Sequence, residues 1–145
     1  MWTASLAENR IIKTGKSKDF EAHNMEHQLS AYTDCNHGEG LAVLHPAYYR
    51  HIYKDGLPKF VAFAERVWGL DREDYDSDEE FALAGIDALA DFIKEMGLPT
   101  TLRDIGFGEK EAAMLPEIAE SCFISGGAFR PLTKEEILEI YKECL

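Results

Sequence analysis

The most regular hydrophobic pattern in the chain lies near its middle, where Ala82, Ile86, Leu89, Ile93 and Met96 recur at spacings of four, three, four and three. That period belongs to one face of a helix, so about five turns are predicted with this face buried. Ser77 and Glu80 form a capping-box pattern ahead of it, and Gly97-Leu98-Pro99 ends it. A second stripe, Phe60, Ala64, Val67 and Trp68, follows the boundary Gly56-Leu57-Pro58, with Pro58 in the first helical turn. Thr133 with Glu136 forms another capping box, and Leu132 can staple against Ile137 of the last helix.

The remaining elements follow from stop and start signals. Trp2 to Thr14 is predicted helical with Leu6 and Ile11 inward and Gly15 as its stop. Ser17 or Asp19 can cap a second helix reaching about Thr33. His37 to Tyr53 is strongly apolar and reads as a central core helix, interrupted or kinked at Pro46. Asp71 to Glu80 is an acidic connection, Lys110 to Cys122 a weaker helix interrupted by Pro116, and Ser125-Gly126-Gly127 a loop. No stretch alternates apolar and polar residues with β-branched side chains, so an all-α domain of about six to seven helices is expected. Short connections and the lack of a repeat make it one domain, 1–145.

Composition narrows the classes of function. A chain of 145 residues with 46% hydrophobic content can bury a core without staples. A net charge of −12 argues against nucleic acid and against anionic membrane surfaces, because both require basic patches. Cys35, Cys122 and Cys144 are odd in number and form no Cys-x-x-Cys pair, which fits free thiols in a reducing cytoplasm and excludes a thiolate zinc site. The absence of a long apolar run and of a charged-then-hydrophobic leader leads to the expectation of a cytoplasmic, non-membrane protein. The acidic stretch lacks the central glycine and terminal glutamate of a calcium loop, so it reads as solvated.

The chemistry concentrates elsewhere. All five histidines fall between His23 and His51. His23 and His27 are four residues apart, about 40° of rotation on a helix, and so share a face. His37 can meet that face if a turn follows Asp34, and convergent imidazoles suit a divalent metal. A His-x3-His pair alone is common by chance; a third histidine followed by Gly38 and Gly40 is harder to assign to surface accident. The glutamate here is Glu26, beside the second histidine, not in the His-Glu-x-x-His place of a metallopeptidase. His45 is expected in the core or at a domain interface, His51 on the surface, and Cys35 as a small buried filler. Gly38-Glu39-Gly40 follows a helix and lacks a third glycine, so no Rossmann nucleotide site can be built from it.

The run His23-Asn-Met-Glu-His27-Gln-Leu-Ser-Ala31, with His37-Gly-Glu-Gly-Leu-Ala-Val-Leu-His45-Pro-Ala47, resembles the C-terminal signature of the iron-containing alcohol dehydrogenases. The butanol dehydrogenase and aldehyde reductase branch is the most similar. The stretch from Met1 to Asn9, Phe63 to Gly69 and Met96 to Thr100 also resemble that branch, so the likeness spans the chain. Phe20 ahead of His23 and Cys35 before Asn36-His37 are mild departures from the pattern.

The resemblance implies the helical C-terminal domain of the dehydroquinate synthase-like fold. It implies His23 and His37 as metal ligands, with an aspartate and a further histidine supplied from upstream of Met1. His27 would lie beside nicotinamide and substrate, serving both cofactor contact and catalysis as a proton relay. Implied cofactors are Fe(2+), with Zn(2+) an alternative, and NAD(H) or NADP(H), whose nucleotide-binding N-terminal domain is absent from this chain. Implied partners are an alcohol or aldehyde and that missing domain; a homodimer is compatible with it. The expectation is that the chain alone is not catalytically competent. The rival reading is a small helical interaction module from a shortened gene, its histidines relics.

Overall fold

The computed structural model describes residues 2–9, 11, 15, 19–124 and 128–145. Among them are seven α-helices and no strand: α1 (Trp2–Glu8), α2 (Glu21–Thr33), α3 (His37–Ile52), α4 (Leu57–Trp68), α5 (Asp78–Glu95), α6 (Glu109–Ser121) and α7 (Lys134–Glu143). The expected all-α class is therefore what the chain adopts.

Helix α3 is the hub. It packs against α2, α5 and α7, while α6 bridges α2 and α7. Val43, Leu44, Ala47, Tyr48 and Ile52 of α3 share one buried cluster with Met25 and Leu29 of α2, Leu115 and Ile118 of α6, and Ile137, Ile140 and Tyr141 of α7. The polar ends of the buried tyrosines are satisfied. Tyr141 donates to the Met25 carbonyl at 2.8 Å and Tyr48 donates to Asp19 at 2.9 Å. Leu132 and Ile137 are both buried at the start of α7, where Thr133 and Glu136 form the expected reciprocal cap.

Helices α4 and α5 form a second packed pair, with Ala64, Phe81, Ala82 and Ile86 fully buried. Ser77 caps α5 by accepting from the Glu80 N–H at 3.1 Å. Glu80 itself turns back one residue further than expected, accepting from the Asp76 N–H at 3.0 Å.

Several sequence expectations need correction. Neither proline interrupts its helix: α3 runs through Pro46, which leaves only the kink of the two alternatives expected there, and α6 runs through Pro116. Each forfeits one backbone bond, but buried side chains on either side of it hold the helix to the core. Helix α1 ends at Glu8, and Leu6 and Ile11 are exposed rather than inward, because none of the core cluster's residues lies in this segment. Thr14 and Ser17 lie outside the described residues. Of the two expected caps of α2, Asp19 does serve its start, accepting from the Glu21 N–H at 3.3 Å from one residue before the N-cap position, which Phe20 occupies. Val67 and Met96 are both 61% exposed. Val67 sits three residues from Ala64, about 60° round the helix from the contact with α5, and Met96 lies beyond the last turn of α5.

Candidate metal centre

The turn between α2 and α3 places the histidines. Asp34 adopts a left-handed conformation, φ 56°, and its N–H bonds back to the Ser30 carbonyl at 2.8 Å, closing α2. Two residues on, Asn36 caps α3, its side-chain oxygen accepting from the N–H groups of Gly38 at 3.0 Å and Glu39 at 3.3 Å. The next helix thus opens with His37, facing back across the turn.

The three rings converge. The centroid of His37 lies 5.4 Å from those of both His23 and His27, and His23 and His27 are 6.0 Å apart. Phe20 stacks on His23 at 4.2 Å with an interplanar angle of 15°, and meets His27 edge-on. The aromatic departure at position 20 therefore forms one wall of the cluster. His23 is half-buried while His27 and His37 are exposed, so the cluster opens outward.

Behind the rings lies a residue the sequence reading passed over. Glu26 is completely buried, with one oxygen bonded to His37 Nδ1 and the other accepting from the Ser30 hydroxyl. Glu26 was considered only for its failure to match the metallopeptidase spacing. The available signal was helical register: Ala22, Glu26 and Leu29 are spaced four and three apart, placing a carboxylate within an inward apolar stripe. A buried carboxylate demands a partner.

Space for this carboxylate comes from Gly40. A Cβ there would lie 2.8 Å from Glu26 Cγ and 2.9 Å from Oε1, closer than side chains tolerate. Gly40 is in the first turn of α3, where the helix dipole favours a negative group.

Donor atoms of Glu26, His27 and His37 lie within 4.8 Å of one another, close enough to share one metal ion. His23 enters through its ring contacts with both histidines. Imidazole nitrogens backed by a buried carboxylate suit a divalent first-row cation, so the donor set and the cradle at Gly40 fit a metal of that kind.

The other histidines stand apart from the cluster. His45 places Nδ1 2.7 Å from the Leu41 carbonyl and packs edge-on to Tyr49. Burial pushes its pKa down, against the upward pull of that carbonyl and of Asp19. His51 is not a free surface residue: its Nε2 lies 3.3 Å from Glu136, linking α3 to α7. Cys35 is half-buried, packed against the core cluster. Gly38 and Gly40 lie in the first turn of α3 itself, with no strand before them.

The comparisons with known proteins agree with this fold. The sequence model of the Fe-containing alcohol dehydrogenase family, C-terminal, matches residues 2–145. The chain belongs to that family. It is 37% identical over 145 residues to the NADH-dependent butanol dehydrogenase A of Clostridium acetobutylicum, a match covering 99% of this chain and 37% of that protein. It is 31% identical over 143 residues to the NADPH-dependent aldehyde reductase YqhD of Escherichia coli, covering 98% of this chain and 36% of the reductase. Among solved structures, the NADH-dependent butanol dehydrogenase A from Thermotoga maritima superposes with a TM-score of 0.83 at 28% identity, over 99% of this chain and 37% of that one. The chain thus spans little more than a third of the length of the relatives it matches.

Proposed function

We propose that this chain is the helical, metal-binding C-terminal part of an NAD(P)H-linked alcohol dehydrogenase that interconverts primary alcohols and aldehydes. The observation carrying the reading is the convergence of His23, His27 and His37 at one helix junction in a member of this family. The relatives named for NADH-dependent butanol dehydrogenase and NADPH-dependent aldehyde reductase activity support both the substrate class and the cofactor class. In this reading the nucleotide-binding part, an aspartate and a third histidine ligand would come from the part of such an enzyme that these 145 residues do not span, as the 37% coverage of the relatives supports.

In this reading His23 and His37 hold a divalent cation, ferrous iron or zinc, as neutral imidazole ligands. Bound there, the cation supplies Lewis acidity toward an alcohol or carbonyl oxygen. His27, the more exposed partner of His23 on the same helix, passes a proton between its ring nitrogen and the reacting oxygen. Phe20 restrains the His23 ring by stacking, which narrows the orientations that ligand can take. Relic histidines would leave the burial of Glu26 without a role, because a buried carboxylate costs stability that an apolar residue would not.

The roles separate experimentally in the complete enzyme. His23→Ala and His37→Ala are expected to lose the metal, while His27→Ala keeps it and loses turnover. Metal analysis of the purified variants alongside NAD(P)H oxidation with butyraldehyde reads both. A metal-free His27→Ala protein would refute the division of roles. The chain by itself, given ferrous iron or zinc, NADH or NADPH and butyraldehyde without oxygen, is expected to show no steady turnover. Steady turnover abolished by His23→Ala would mean that it completes its own site.

A further inference from the structure

We propose that Glu26 is the positioning residue of His37: its carboxylate keeps the imidazole proton on Nδ1, so that Nε2 presents its lone pair to the space shared with His23 and His27. This rests on the proposed reading of that space as a metal centre.

Three observations carry it. Glu26 is completely buried, and its partner through Oε2 is Nδ1 of His37, a side chain about half exposed. The carboxylate accepts and cannot donate while ionised, so the imidazole nitrogen facing it must carry the hydrogen. When the ring is neutral, as a metal ligand must be, Nε2 is then the acceptor. Second, the other carboxylate oxygen accepts from the Ser30 hydroxyl, so each oxygen already has a protein donor. Third, Gly40 leaves the space in which the carboxylate lies, and any side chain there would displace it.

Proximity of donor atoms alone would also allow Glu26 to be a direct ligand beside His27 and His37. The hydrogen bonds argue otherwise. A completely buried carboxylate with a protein donor on each oxygen is placed behind the ring to orient its neighbour, whereas the ring itself reaches the open side.

The experiment uses the 145-residue chain with 15N-labelled histidine, at a pH well above the imidazole range. Ring-nitrogen shifts report which nitrogen of His37 carries the proton, with no metal required, and zinc affinity is measured in parallel by chelator competition. Glu26→Met follows a similar side-chain path without an acceptor, and replacing a buried carboxylate by an apolar chain should leave the fold intact, as circular dichroism checks. Wild type is expected to show the Nδ1–H form. Glu26→Met should shift His37 toward Nε2–H and lower zinc affinity roughly 10- to 100-fold. Glu26→Gln, whose amide oxygen can still accept, should keep the Nδ1–H form and lose less affinity.

A wild-type His37 protonated on Nε2, or a folded Glu26→Met chain with an unchanged tautomer, overturns the proposal. So does a Glu26→Gln chain that keeps the tautomer yet binds no zinc, because that is the behaviour of a direct ligand. His37→Ala separates the two claims: if it leaves zinc affinity unchanged the metal reading fails, whatever the tautomer of the wild-type ring.

Discussion

Two helix pairs in this protein meet at a glycine, and they use it differently. In the α4–α5 pair, Gly85 faces the backbone of α4: a Cβ there would lie 2.7 Å from Ala64 Cβ and 2.8 Å from Ala64 Cα. In the α2–α3 pair, Gly40 faces the middle and end of the Glu26 side chain. The first glycine lets two helices approach; the second makes room for a buried carboxylate. The same residue type therefore serves packing in one place and a site in the other, and what fills the space decides which.

Gly85→Ala should give the largest change in stability. The atom in the way belongs to backbone, so α4 and α5 must separate, at a cost of about 1–3 kcal/mol that outweighs the improved helix propensity of alanine. Urea denaturation checks this, and the environment of His37 should stay unchanged. A chain as stable as wild type would mean that the α4–α5 contact is looser than described.

Glu136 offers the next test, as a carboxylate that serves stability where Glu26 serves a site. The hydrogen bond from Arg130 comes first among the causes holding its pKa down at about 2, aided by the Thr133 N–H and His51. A carboxylate depressed in the folded state stabilises the fold above its ordinary value near 4.5, and that contribution is lost as pH falls through about 2. Thermal stability should thus fall between those values. Glu136→Gln should flatten that slope and lower stability at neutral pH by roughly 1–2 kcal/mol once solvent screening is allowed for. It should leave zinc affinity unchanged. An unaltered acid slope would show that the Arg130 pair contributes nothing.

Gly40→Ala is expected to change stability less, within about 1 kcal/mol, because alanine favours the helix while the intruding methyl group displaces a side chain rather than backbone. Its effect should instead appear at His37, whose ring-nitrogen shifts move as Glu26 is pushed aside. If stability falls as far as in Gly85→Ala while His37 is undisturbed, the contrast between the two glycines is wrong.

The smallest effect concerns thiols. Burial pushes the Cys144 thiol up to about 12 and raises Cys122 as well, so neither should react with a thiol reagent in the folded chain. Half-buried Cys35, beside the histidine turn, is the one expected to label. Rapid labelling of Cys144 would mean that the packing of α7 against α3 opens readily.

The helices of this fold were legible wherever a stripe, a cap and a stop agreed, as in α5 and α7. The prolines misled because local rules weigh a lost backbone bond, whereas Pro46 and Pro116 sit in helices held by burial on both sides. The outward faces of Leu6, Ile11 and Val67 were unreadable for a related reason: apolar identity does not say what packs against it. At the site, helical spacing predicted the shared face of His23 and His27, and the turn after Asp34 brought His37 back to it. Histidine spacing does not point to Glu26; only its place within the inward stripe of Ala22 and Leu29 marks it as buried.

Which side chains hold the metal is the question on which the roles of His23, His27 and His37 turn. Zinc affinity of the chain, measured by chelator competition for wild type, His23→Ala, His27→Ala and His37→Ala, tests it most directly. Weak binding by wild type is expected, with a loss of about tenfold or more in both His23→Ala and His37→Ala and little change in His27→Ala. A His27→Ala chain that loses zinc as fully as His37→Ala, while His23→Ala keeps wild-type affinity, would contradict these roles, because the metal would then belong to Glu26, His27 and His37.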